Sequence, residues 1–306
     1  MKKNFYHLSE ITPGVEKLKV HGNSKGSSTG FYVLDQYITL KSGTTIYFIG
    51  SPFSGKTEII FELIIYCIKK YGWRVAIFSP ETGTKEEILA EFISKWFMKP
   101  FYKNVHGNLS ESEMYRAITE LQDHLFIIDP GYYDMTVDGF YKTVDEIEKI
   151  HGRIHITVID PWNELKHDFG RTNRQDLYLE EKLGMIRRNA QDHNRLNIVS
   201  THITDQPLSV ENNIRYYPPP TPREIAGGQS WFRKAQSLIA VWRPPFGLKD
   251  QNDIPYEENE VHLIIQKYKP KGVGKRGTAK LYFSTEANRY YELNENGTKH
   301  FPGANL

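Results

Sequence analysis

Gly50-Ser-Pro-Phe-Ser-Gly-Lys-Thr57 satisfies G-x-x-x-x-G-K-[ST] at every fixed position. The flanks agree with the motif. Thr45 to Ile49 is a continuous, largely apolar run that reads as a buried strand, and Ile59, Ile60, Leu63 and Ile64 line one face of a helix over 56–70. In such a strand–loop–helix turn the glycines let backbone N–H groups face inward on phosphates, and the helix start adds its positive end. The whole loop, Gly50, Ser51, Pro52, Phe53, Ser54, Gly55, Lys56 and Thr57, is therefore expected to cradle a nucleotide. Lys56 would reach the β- and γ-phosphates and the Thr57 hydroxyl would ligate Mg²⁺, which makes ATP and Mg²⁺ the expected cofactors.

Outward from this loop, strand and helix alternate. Arg74 to Phe78 reads as the next strand and 85–98 as the next helix. His124 to Ile128 and Ile154 to Ile159 are further apolar runs, each closed by Asp-Pro, and 175–193 is a helix followed by a strand at Leu196 to Ser200. This alternation predicts an α/β fold, a mostly parallel twisted sheet with helices on both faces. Ser237 to Trp242, Val261 to Lys267, Lys280 to Phe283 and Arg289 to Glu292 follow without room for crossover helices, which predicts a C-terminal antiparallel extension. Between these two parts, 204–228 carries five prolines and few apolar residues, a length of irregular chain that points to function.

Composition sets bounds. The chain has 306 residues, 39% of them hydrophobic and 25% charged, with 39 Lys+Arg against 37 Asp+Glu for a net charge of +2. That is globular usage with no run long enough to span a membrane. A lone Cys67 and an N-terminus without an apolar leader suggest a reducing cytoplasm. A nucleic-acid partner would be held by a local groove rather than by a basic exterior. Residues 1–28 read as a linker. Leu8, Ile11, Val15 and Leu18 at helical spacing offer either a short helix that docks on a neighbouring subunit or a frayed terminus, with Pro13 and Gly14 against the helix.

A nucleotide site of this kind needs a strand-end acid for the metal and a residue that orients or deprotonates water. Asp160 and Asp129 both close apolar strands, and their local pattern does not separate them. Glu81, just past the strand that follows the loop helix, is the candidate base and equally suits a solvated turn.

The order of motifs resembles the RecA-like hexameric replicative DNA helicases, the DnaB group, with the closest look to the Twinkle and phage primase-helicase branch. The resemblance is collinear from Thr29 to Glu292 and rests on Thr29-Gly-Phe-Tyr-Val-Leu-Asp35, the Gly50 to Thr57 loop, Phe78-Ser-Pro-Glu81, Ile159-Asp-Pro-Trp-Asn-Glu-Leu165, Val199-Ser-Thr-His202 and Gly227-Gly-Gln-Ser-Trp-Phe-Arg-Lys234. It implies a RecA-like P-loop core over 29–306, with Glu81 as catalytic base, Asp160 as the metal carboxylate, Asp129 as structural and His202 as the γ-phosphate sensor. It also implies a hairpin at Ile265 to Gly274 that carries Lys267 and a finger residue into the neighbouring subunit's site. The finger position holds Lys269 where the family has arginine, and an ammonium lacks the planar fork. Either Lys269 suffices, Arg276 substitutes, or hydrolysis is slow.

The implied partner is single-stranded DNA in a central channel, contacted by Arg171, Arg174, Arg215 and Arg223, with Tyr216 and Tyr217 as stacking surface. The implied assembly is a homo-oligomer, a hexameric ring working in a bacterial or phage-infected cell. Residues 1–28 leave no room for the primase domain of that branch, so the expectation is either a separate primase or loader, or that the chain is a helicase fragment. Two alternatives are a RecA-like DNA-binding ATPase or recombinase without unwinding activity, and a binding module that has lost hydrolysis.

Overall fold

A computed structural model describes residues 5–131, 134–169, 174–204, 206–211, 213–270 and 273–306. The chain runs α1 (Leu8–His21), α2 (Tyr32–Asp35), β1 (Thr44–Gly50), α3 (Lys56–Tyr71), β2 (Val75–Phe78), α4 (Lys85–Phe97), α5 (Glu111–Leu121), β3 (Leu125–Ile127), α6 (Val137–His151), β4 (Ile156–Ile159), α7 (Gln175–His193) and β5 (Leu196–His202). The hairpin β6 (Ser209–Glu211) and β7 (Ile214–Tyr216) and the short α8 (Gly228–Lys234) come next. The chain closes with β8 (Ser237–Trp242), β9 (Glu260–Tyr268), β10 (Gly277–Ser284), β11 (Arg289–Leu293) and β12 (Lys299–His300).

β1 is buried along its whole length because both of its faces are covered. Ile46 and Phe48 join one hydrophobic cluster, with Ile59, Leu63 and Ile64 of α3. Tyr47 and Ile49 point the other way and pack with Val137 and Phe140 of α6, Leu183 and Ile186 of α7 and Trp231 of α8. The main sheet has the order β12-β11-β10-β9-β8-β1-β5-β4-β2-β3. Every pairing from β3 to β8 is parallel, and β8 to β12 pair antiparallel.

The expected mostly parallel sheet with an antiparallel extension is present, with one boundary moved. Ser237 to Trp242 reads from sequence as the first antiparallel strand. In the fold β8 lies parallel to β1, Ile46 to Ile49 facing Ser237 to Ala240, and the reversal begins only at β9. The crossover is the two-turn α8, too short and too glycine-flanked to announce itself by periodicity. The proline-rich stretch is also less irregular than its composition suggests, since it contains the β6–β7 hairpin. At the N-terminus α1 forms a helix through Pro13 and buries none of its residues.

A buried ion pair fastens the antiparallel strands to the helical layer, and a partly buried one joins two helices of that layer. Arg289 on β11 donates from Nε to both carboxylate oxygens of Glu62 on α3, at 2.8 and 2.7 Å, with both side chains 0% exposed. Lys95 of α4 bonds Glu58 of α3. No helix among the described residues is long and apolar enough to cross a membrane.

Candidate active site at the carboxyl edge of the sheet

β1, β2, β4 and β5 run parallel, so their carboxyl ends and that of β8 meet on one edge. That edge is where open α/β sheets present their ligand crevice. The glycine-rich loop leaves β1 there and enters α3 through Gly55, whose φ of 92° lies in the left-handed region. Gly55 has a second constraint, because a β-carbon there would run into the Tyr290 hydroxyl.

Lys56, Thr57, Glu81, Asp160 and His202 line one cleft of 890 Å³. Lys56 is 5% exposed and donates to the carbonyls of Gly50 (3.0 Å) and Ser51 (2.9 Å), so its ammonium is folded back over the loop it belongs to. Burial brings its pKa down to about 8, against the pull of the Asp160 and Glu81 carboxylates. Asp160 at the end of β4 is 2% exposed, and it accepts from Ser200 and, at 3.1 Å, from the Ser79 hydroxyl. Burial pushes its carboxyl up, while the hydroxyls of Ser200, Thr57 and Ser79 and the charge of Lys56 hold it down.

A buried carboxylate beside a threonine hydroxyl and a lysine is a donor set that suits a hard divalent cation. The Ser54 hydroxyl is buried and lacks a partner, and the loop's N–H groups begin α3. These features fit a phosphate chain with Mg²⁺. Asp129 does not share the cleft. It follows the edge strand β3, binds Lys85 at 3.0 Å and accepts from the Gly131 N–H at 2.9 Å.

Glu81 sits in a 3₁₀ turn, Pro80–Thr82, just beyond β2. Its two oxygens lie 3.1 and 3.0 Å from His202 Nε2 at the end of β5. His202 is positioned in turn by Asn163, whose Oδ1 accepts from the His202 backbone N–H (3.0 Å) and from the Thr201 hydroxyl (3.1 Å). The Ser51 hydroxyl donates to Gln206 at 3.3 Å, which ties the phosphate loop directly to the proline-rich segment. Gln206 Nε2 then donates to the Pro218 carbonyl at 2.6 Å.

Two residues of this site escape sequence reasoning. Asn163 is visible in the Asp-Pro-Trp-Asn-Glu run without a role. Arg243 has no motif at all; it enters the cleft because β8 is the neighbour of β1, and its guanidinium stands 5.8 Å over the Phe283 ring.

The remaining expected residues lie elsewhere. Lys267 lies at the end of β9 and Lys269 just beyond it, and Lys267 pairs with Leu238 at the start of β8, so they occupy the edge of the sheet opposite the cleft. Lys267 binds the Phe232 carbonyl and, at 3.3 Å, that of Arg233. Burial and the charge of Lys269 hold it below the usual lysine value. Lys269 and Arg276 are exposed. Arg215 is exposed on the β6–β7 hairpin and Arg223 in the turn before α8. Arg174 precedes α7 and is engaged by Asp176 through two bonds of 2.8 and 2.7 Å. Arg171 lies outside the described residues.

No protein-family model matches the chain. A curated relative, the Twinkle homolog protein, chloroplastic/mitochondrial, of Arabidopsis thaliana, is 24% identical over 279 residues, which cover 89% of this chain. The match spans 37% of that relative's length. Among solved structures, an ATPase domain superposes with a TM-score of 0.71 at 17% identity, covering 96% of this chain and 100% of that one. A DnaB-like replicative helicase, described with its interactions with primase, superposes with a TM-score of 0.67 at 17% identity, over 94% of this chain and 67% of that one. The fold is thus RecA-like, shared with these two solved domains, and in sequence the chain is similar to the Twinkle homolog.

Proposed function

We propose that the chain is an ATP-dependent, replicative-type DNA helicase: a homo-oligomeric ring that moves along single-stranded DNA and hydrolyses ATP between subunits. The observation that carries this reading is the contact of His202 with Glu81. It joins the candidate base to the strand that leads into the proline-rich loop. In this reading residues 29–306 form the ATPase domain and 1–28 a linker. The loop from Gly50 to Thr57 binds the phosphates, Lys56 neutralises them, and Thr57 with Asp160 holds Mg²⁺. When bound, the metal spreads the charge that develops on the transferring phosphoryl group. Glu81 orients and deprotonates the attacking water. Its carboxylate is hydrogen-bonded to His202, whose backbone N–H is in turn held by Asn163, so the three form one connected set.

Lys267 and Lys269 cannot reach the cleft of their own chain from the opposite edge of the sheet. Their placement supports a site completed by a second copy, with Arg276 on the same edge. Arg174, Arg215 and Arg223 are the cations assigned to the DNA strand. A separate primase or loader would complete the machinery, in the reducing cytoplasm of a bacterial or phage-infected cell.

The test is ATP turnover with and without single-stranded DNA, paired with unwinding of a forked duplex. Stimulation together with unwinding is expected. Stimulation without unwinding would favour a DNA-binding ATPase or recombinase, and absence of both would overturn the motor reading.

A further inference from the structure

Behind β5 lies a second cavity, of 380 Å³, whose walls carry Trp162, Phe169, Tyr178 and Trp231 among polar and aliphatic side chains. Trp162 and His167 stack at 4.7 Å, and Trp231 meets Trp162 edge-on at 5.3 Å. Phe169 and Tyr178 close a further side, edge to face at 5.3 Å. These rings come from the segment after β4 and from α7 and α8. Among the described residues no Lys or Arg lines the cavity, and Arg174, next to the lining residues Gln175 and Asp176, is engaged by Asp176. A phosphate would meet the Asp176 carboxylate with no counter-charge from the described lining residues. A neutral base would lie among these aromatic side chains, with the Asn163, Gln175, Thr201 and Thr204 side chains lining the same cavity and available to its polar edge.

His202 lines both this cavity and the nucleotide cleft. Its Nε2 is engaged by Glu81, and its Nδ1 is buried without a partner. Asn163, which fixes the His202 backbone, also lines the cavity.

We propose that this aromatic cavity takes one unstacked base of the bound DNA strand, and that His202 and Asn163 transmit its occupancy to Glu81. The proposal rests on the reading of the chain as a single-strand motor and adds to it a base-reading site beside the phosphate-tracking loops. Aromatic capture of a base tolerates every sequence, because each base has a π-face, and so suits a motor that must not stall.

The experiment compares an oligothymidylate with an abasic oligonucleotide of equal length and charge, in the presence of a non-hydrolysable ATP analogue. Binding is read directly, and tryptophan emission is read against that of a Trp162→Phe protein, since Trp162 and Trp231 are the two of the five tryptophans that line the cavity. The natural strand is expected to bind roughly five- to 150-fold more tightly than the abasic one and to quench emission. Phe169→Ala should bring that ratio close to one, while Phe169→Tyr should keep it. Equal binding of the two strands by the unaltered protein, or an unchanged ratio in Phe169→Ala, would overturn the base site and leave the motor intact. Binding of neither strand would remove the motor reading, and this proposal with it.

Discussion

The two edges of the sheet hold their lysines in different ways. At the carboxyl edge Lys56 is buried among groups of its own site, with Asp160, Glu81 and His202 already in mutual contact or within one cleft. At the opposite edge Lys267 caps carbonyls of the short helix before β8, and Lys269 and Arg276 stand in solvent. In the proposed reading one edge holds the acids and the phosphate loop, and the other a set of cations remote from them. The difference teaches that this chain cannot close its own nucleotide site with these lysines, because the sheet itself separates them.

The sharpest way to break that comparison is complementation. Glu81→Gln should lower turnover by about 10²- to 10⁴-fold while nucleotide binding persists. Mixed with Lys267→Ala protein, which keeps an intact cleft, it should restore activity, since about one site in four pairs a good cleft with a good hairpin under random mixing. A mixture no more active than its components would place Lys267 outside any shared site.

A second test asks what keeps the carboxyl edge assembled. Glu62→Gln leaves Arg289 buried without its counter-charge and should cost roughly 3–5 kcal/mol of stability, measured by denaturant unfolding. An unfolding midpoint equal to that of the unaltered protein would show that the ion pair between α3 and β11 is dispensable.

The smallest effect concerns pH. Lys56, with a pKa brought down to about 8, is charged below that pH and neutral above it. Phosphate binding favours the charged form, so affinity for nucleotide should weaken as pH rises through 8, and binding just above that pH should take up protons. Calorimetry in buffers of different ionisation enthalpy reads this uptake directly. Binding with no proton uptake would contradict the burial of Lys56.

Much of this was legible in the residues. Continuous apolar runs announce the central strands, because a strand covered on both faces has no polar side to show. The helix at Glu111–Leu121 carries its own start signal, with Ser110 and Glu113 bonded reciprocally in a capping box, although its apolar stripe is sparse. The choice between Asp129 and Asp160 was not legible locally, because what separates them is strand order: β4 is central and β3 lies at the rim. Arg243 was illegible for the same reason. Its neighbours Pro244 and Pro245 announce only a chain turn, and the cleft is brought to it by the pairing of β8 with β1, strands far apart in the chain. The aromatic cavity draws on separate segments of the chain, none of which resembles a site by itself.

The posture of Lys56 has a consequence for the energetics of the proposed binding. A free lysine side chain carries about 2 kcal/mol of rotamer entropy. Here that freedom is already removed when the chain folds, since the ammonium is tethered to the carbonyls of Gly50 and Ser51. An incoming phosphate exchanges partners with an immobilised cation instead of having to capture a mobile one. The loop thus behaves as a stiff receptor, in which ordering of this side chain contributes almost nothing to the cost of association.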